Sequence, residues 1–346
     1  MSRRVTGLGR LTRSPGERGP LVGASVPASG RYHVQGVQMQ AGLELWARVA
    51  GARLLLEDDQ SIPALAARLH AELLARGCRF VLGPYGSDST RAVAEDRPGI
   101  VWNHGAAADD VQRLSGVVSL ASPASRYLVA LGQAVALLRP GASVALVAAA
   151  GRFAGFAREG LEREAARLGL SLLGSFSFRD PPAAVVERRP EAVLLCGPIA
   201  PEVALFRALS RLAPGALLGG VSPGLAAFPT LLGGDPEGLL APVQWHADLP
   251  GVPRLGPSSS ELGADARASG LGELDYVAAQ AHAAALVAAH CVELDPDDPL
   301  AAARQLRTTT FFGVFELDPA GLQRGHRLAV VSWRGGRRRL LLADAA

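Results

Sequence analysis

"FVLGPYGSDST" (residues 80–90) changes character halfway along. Three strand-type apolar residues run into a loop of small, hydroxyl-bearing residues, and "RAVAED" behind it has helical spacing. A strand that ends in a Gly-rich turn and opens a helix is half of a strand-helix-strand unit, which implies parallel strands and a right-handed crossover. The same rhythm extends outward: "LVGASV" precedes a helix over 34–50, "RLLLE" a helix over 63–76, "IVWN" a short turn, and "VVSL" a helix over 123–138. A second series starts at "SVALVAA" (143–149), with helices expected at 153–168, 201–211 and near 224–231 and strands at 170–178, 192–197, 216–221 and 238–245. After a loop at 250–264 come helices at 272–290 and 299–307 and strands near 311–316, 328–333 and 338–342. The pattern predicts an α/β chain of two doubly wound parallel-sheet lobes, with crossings between them near 120–124, 243–249 and 326–331.

Apolar residues make up 49% of the 346, enough to bury the cores of two domains. A pI near 9.0 raises the question of nucleic acid, but the charge is local: residues 1–20 carry a net +4 and residues 334–346 a net +3. The whole chain is only +3, so the body is about −4 and offers no basic face. Every basic side chain is arginine. Cys78, Cys196 and Cys291 have no metal spacing and read as buried apolar residues. The apolar run over 277–292 is short for a membrane span and includes His282 and His290, which fits a core helix. The first twenty residues lack the apolar core of a secretory signal.

Enzyme motifs are weak. "GVSPG" (220–224) matches the nucleophile-elbow pattern at Ser222, but Pro223 has no N–H to give an oxyanion hole. Phosphate-loop, dinucleotide and zinc-helix motifs are absent, so no cofactor and no metal is expected. The loops leaving the strands are more informative. "PASGRYHVQG", "GPYGSDST" and "NHGAAADD" all follow strand ends, where open α/β sheets bind ligands, and are built of residues that let backbone amides approach a ligand. Ser87 at a helix N-terminus, with such amides, suits a carboxylate.

These segments, together with "LLLEDDQSIPALAARLHAELLARGCRFVLGPYGSDSTRAVAE", "VVSLASPASRYLVALG" and "TTTFFGVFELDPAGLQRGHRLAVVSW", resemble in order and spacing the leucine/isoleucine/valine-binding proteins of ABC transporters, the type I periplasmic-binding fold. The resemblance runs from about 21 to 333 and rests on the collinear set. It implies a flexible basic segment at 1–20, a docking lobe of 21–122 plus 248–326, and a closing lobe of 123–247 plus 327–346. It implies capture of a small carboxylate between the lobes without chemistry, for an ABC permease and with no nucleic acid or integral-membrane role. Ser87 and the backbone of Gly86 take the carboxylate, and the backbone of Gly105, Ala106 and Ala107 holds the adjoining region. Tyr85, Gln35 and Tyr276 form the near wall; Phe153 packs from the other lobe.

Three positions depart from that family. Ala107 lacks the usual hydroxyl, Val221 and Ser222 stand where an acid pairs with an ammonium, and Pro198 or Ile199 replaces a tyrosine. A buried ammonium without its carboxylate costs about 3–5 kcal/mol, a large part of the roughly 8 kcal/mol of a micromolar complex. Unless Asp109, Asp110 or another acid supplies the charge, the expected ligand is an apolar or aromatic acid or a neutral analogue. The resemblance implies an extracytoplasmic protein; the N-terminus as written implies a cytoplasmic one, and with it a ligand sensor acting on a regulatory partner protein.

Overall fold

The structure, a computed structural model, describes residues 19–96, 99–271 and 273–345; the expected basic segment at 1–20 lies almost wholly outside them. The first run of elements is β1 (Leu21–Val26), α1 (His33–Ala50), β2 (Arg53–Asp58), α2 (Pro63–Ala75), β3 (Val81–Leu82), α3 (Ser87–Asp96), β4 (Val101–Asn103), α4 (Asp109–Gln112) and β5 (Val117–Ser119). The second is α5 (Tyr127–Leu138), β6 (Ser143–Ala148), α6 (Arg152–Glu164), β7 (Ser171–Phe176), α7 (Pro182–Val186), β8 (Ala192–Cys196), α8 (Ile199–Leu212), β9 (Leu217–Gly220), α9 (Phe228–Leu232) and β10 (Leu240–Val243). Then follow α10 (Ser259–Ala268), α11 (Tyr276–Leu294), α12 (Pro299–Gln305), β11 (Thr308–Thr310), β12 (Gly313–Phe315), β13 (Leu328–Arg334) and β14 (Arg337–Ala345).

β1 to β5 form a parallel sheet in the order β2-β1-β3-β4-β5, and a second sheet runs β14-β13-β10-β9-β8-β6-β7. The second is not wholly parallel: β13 pairs antiparallel with β10, and β14 antiparallel with β13 across the Gly335–Gly336 turn. Two glycines with positive φ allow so tight a return. The expected strand at 311–316 is instead the small hairpin of β11 and β12.

Two helices fall where loops were expected. α10 begins inside the Pro- and Ser-rich stretch at 250–264 and opens on a complete capping box, Ser258 with Glu261. α7 starts at Pro182, which fits the first helical turn. α11 begins at Tyr276 and not at 272 because the Asp275 carboxylate caps it. It is long and apolar enough to cross a membrane, yet 72% of that window is buried and it packs on α1 in the largest core cluster.

The chain passes between the two sheets three times, after β5, after β10 and before β13. Each passage contributes one buried polar residue to a shared network. The Ser122 N–H donates to Gln244 Oε1 (3.0 Å), the Ser122 hydroxyl donates to the carbonyl of His326 (2.9 Å), and His326 Nε2 lies 2.9 Å from the carbonyl of Gln244. A buried ion pair also joins the bodies: Arg338 of β14 reaches Asp275 at 2.7 Å and so fixes the start of α11.

Candidate functional site

Between the sheets lies a cavity of about 250 Å³. Its walls come from the loops after β1, β3, β4, β6, β8 and β9, the carboxyl ends of the parallel strands, together with the first residues of α5 and α11. Of the twelve residues singled out from sequence, Ser87, Gly86, Tyr85, Gly105, Ala107, Gln35, Phe153, Ile199, Val221, Ser222 and Tyr276 line it. Ala106 does not. Its N–H and carbonyl are both taken by the side chain of Asn103 (2.7 and 2.8 Å), and its side chain joins a separate core cluster.

A glycine in each of the loops after β3 and β4 lets the backbone approach a tyrosine ring closely. Gly86 has φ +96°, and a Cβ there would lie 2.8 Å from the Tyr32 ring; at Gly105 a Cβ would come within 2.3 Å of the Tyr85 ring. Their closeness also changes an expected role. The Gly86 N–H donates to the Gly105 carbonyl (3.3 Å), so that amide is not free for a ligand carboxylate. Other donors remain. The Ser87 oxygen accepts from the Ala108 N–H (3.3 Å), which leaves its proton to give, and the N–H groups of Ser87 and Asp88 stand at the first turn of α3, where helix geometry supplies no acceptor. The Ala107 carbonyl is occupied by the Ala124 N–H (2.6 Å).

The chain has four tyrosines, Tyr32, Tyr85, Tyr127 and Tyr276, and all four line this cavity. Tyr32 and Tyr85 meet edge to face at 5.3 Å, as do Tyr127 and Phe153 at 4.9 Å. Tyr32 stands in the quoted loop after the first strand and Tyr127 in "SPASRY"; neither was singled out, although their scarcity was a usable signal. Burial raises the phenol pKa of Tyr85, Tyr127 and Tyr276 well above the ordinary value. Tyr127 also accepts a hydrogen bond from Gln244 Nε2 (2.5 Å), which ties the cavity wall to the network at the crossings.

At the sequence position of the missing acid, a buried carboxylate comes from elsewhere. Glu202, on α8, is wholly buried and accepts the N–H groups of Gly197 (2.7 Å) and Ser222 (2.8 Å), both residues of the cavity wall. Burial pushes its pKa up to about 7. It braces the wall from behind and does not line the cavity. Asp109 is spent on Ser125 (2.7 and 3.0 Å), and Asp110 on Arg91 (2.5 Å) and Arg152 (2.6 Å). The one acidic side chain on the wall among the described residues is Asp88, half-exposed and facing Arg31 at 3.4 Å and Arg152 at 4.0 Å. Arg152 opens α6, so these pairs bridge the cavity mouth from the second body to the first.

A sequence profile described as periplasmic binding protein matches residues 21–337. No curated protein matches the chain by sequence. Among solved structures, a branched-chain amino acid transporter substrate binding protein from Streptococcus pneumoniae in complex with isoleucine superposes with a TM-score of 0.79 at 13% identity, covering 94% of this chain and 99% of that one. An R. palustris ABC transporter solute binding protein in complex with 4-hydroxybenzoate gives 0.78 at 17% identity, over 94% and 96%. Another from R. palustris, in complex with benzoate, gives 0.75 at 18% identity, over 95% and 97%. At these identities the likeness is one of fold.

Proposed function

Because this chain belongs to the periplasmic binding protein family, we propose that it captures a small carboxylate in the cavity between its two lobes, as the solute receptor of an ABC transporter outside the cytoplasm. It is a binding protein and not an enzyme. Residues 21–122 with 248–326 act as the docking lobe, and 123–247 with 327–346 close over the ligand. The observation that carries this reading is the pairing of uncommitted donors at Ser87 and the start of α3 with walls made of every tyrosine in the chain. The donors meet the carboxylate; the rings cover its apolar body.

An engineered 150 Å³ apolar cavity holds benzene, on the general scale of such sites, so a space of about 250 Å³ accommodates a ring with its carboxylate. Among the described residues, no direct carboxylate partner for an ammonium is free on the wall, which favours aromatic or apolar acids over α-amino acids. The structures from R. palustris with benzoates make the first class concrete for that fold. Closure is favoured only by the extra affinity of the closed state, and the pairs of Arg152 with Asp88 and Asp110 are the contacts that run from the closing lobe to the docking lobe at the mouth. Titration calorimetry with benzoates, aliphatic keto acids, leucine and valine, with X-ray scattering on the same samples, tests the reading. The expected result is binding of the acids with a smaller radius of gyration; binding of leucine or valine alone overturns the ligand class.

A further inference from the structure

The cavity is rich in hydrogen-bond donors and poor in acceptors. Ser87 offers its hydroxyl proton, Tyr127 keeps its proton after accepting from Gln244, and the first amides of α3 offer N–H groups. The Ser222 hydroxyl faces the Glu202 carboxylate, and the Tyr85 and Tyr276 hydroxyls face each other. Against this stands Gln35. It lines the cavity from the first turn of α1, is 8% exposed, and its Oε1 is buried without a hydrogen-bond partner. Among the described cavity-lining residues, no other buried side-chain polar atom is in that condition. An empty buried acceptor is costly by itself, and the cost is removed by a ligand that brings a donor.

We propose that Gln35 sets the specificity of the site by accepting a hydrogen bond from a hydroxyl carried by the ligand away from its carboxylate. The inference rests on the carboxylate reading above and narrows it to hydroxylated acids. A neutral hydroxyl suits a neutral amide carbonyl. An ammonium would need a negative partner, and Asp88 already faces two arginines. Discrimination of this kind is strong because the analogue without the hydroxyl leaves the acceptor empty again.

The test titrates wild type, Gln35→Leu and Gln35→Met with benzoate, its three monohydroxy isomers and the matching methoxy compounds, with thermal melts as a folding control. At least one hydroxybenzoate should bind wild type about tenfold or more tighter than benzoate and than its own methoxy ether. Both variants should lose that preference, read within each protein as the ratio of its hydroxybenzoate affinity to its benzoate affinity. Unchanged preference in both variants, or equal binding of the hydroxy and methoxy compounds to wild type, overturns the role of Gln35 and leaves carboxylate capture standing. Failure of every acid to bind the folded wild type overturns both.

Discussion

On the docking side of the cleft, the Ser87 hydroxyl and the first amides of α3 stay available; on the closing side, the amides of the loops after β8 and β9 are already used within the lobe. The Gly197 and Ser222 amides both go to Glu202, and the wall that remains is Tyr127, Phe153, Ile199, Val221, the small residues after β6 and, at the mouth, Arg152. Both sides use loops at strand ends, so topology does not make the difference. It lies in where each loop's hydrogen bonds end. The docking lobe orients a ligand, while the closing lobe supplies a preorganised apolar lid.

The strongest way to break this comparison is to remove the brace on the closing side. With a folded pKa near 7 against an ordinary 4.5, Glu202 holds a proton in the folded chain that the unfolded chain has released over that interval. Its contribution to stability is therefore full below about pH 4.5 and lost as pH rises to 7, a change of about 3 kcal/mol. Glu202→Gln should flatten this slope in unfolding measurements between pH 4 and 8; an identical slope in both proteins would mean that the lid is not braced by a titrating carboxylate.

On the docking side, Ser87→Ala removes a donor to a charged oxygen, expected to cost about 1.5–3 kcal/mol of binding, roughly 10- to 100-fold in Kd, at little cost in melting temperature. Affinity unchanged in calorimetry would move the carboxylate elsewhere. The smallest effect concerns the mouth. Arg152 and its partners are partly exposed, so Arg152→Ala should weaken binding only a few-fold, mainly through faster ligand release and less so at high salt. Stopped-flow release at two ionic strengths checks this, and a loss as large as that of Ser87→Ala would make Arg152 a ligand contact.

Much of the architecture was legible because strand and helix periods are local properties. "FVLGPYGSDST" marked β3, its turn and the start of α3 correctly. α10 was missed although Ser258 and Glu261 spell a capping box, because the surrounding Pro, Gly and Ser residues dominate the local pattern. The antiparallel return of β14 depends on pairing across the sheet, which no local period reveals. At the site, residue positions were easier to read than residue roles. Gly86 does line the cavity, but its amide is consumed by Gly105, a contact set by two separate loops converging in space. Glu202 was invisible for the same reason: an acid on α8 reaches the β8 and β9 loops only after folding.

The gathering of all four tyrosines around one cavity also gives the protein an optical property. None of its four tryptophans, Trp46, Trp102, Trp245 and Trp333, lines that cavity, and all four are packed in the scaffold. Tyrosine absorbance therefore comes wholly from the cleft, and tryptophan emission wholly from the frame around it. The chain separates its chromophores by place, so an unlabelled sample carries a reporter of the cleft and an internal reference in one spectrum.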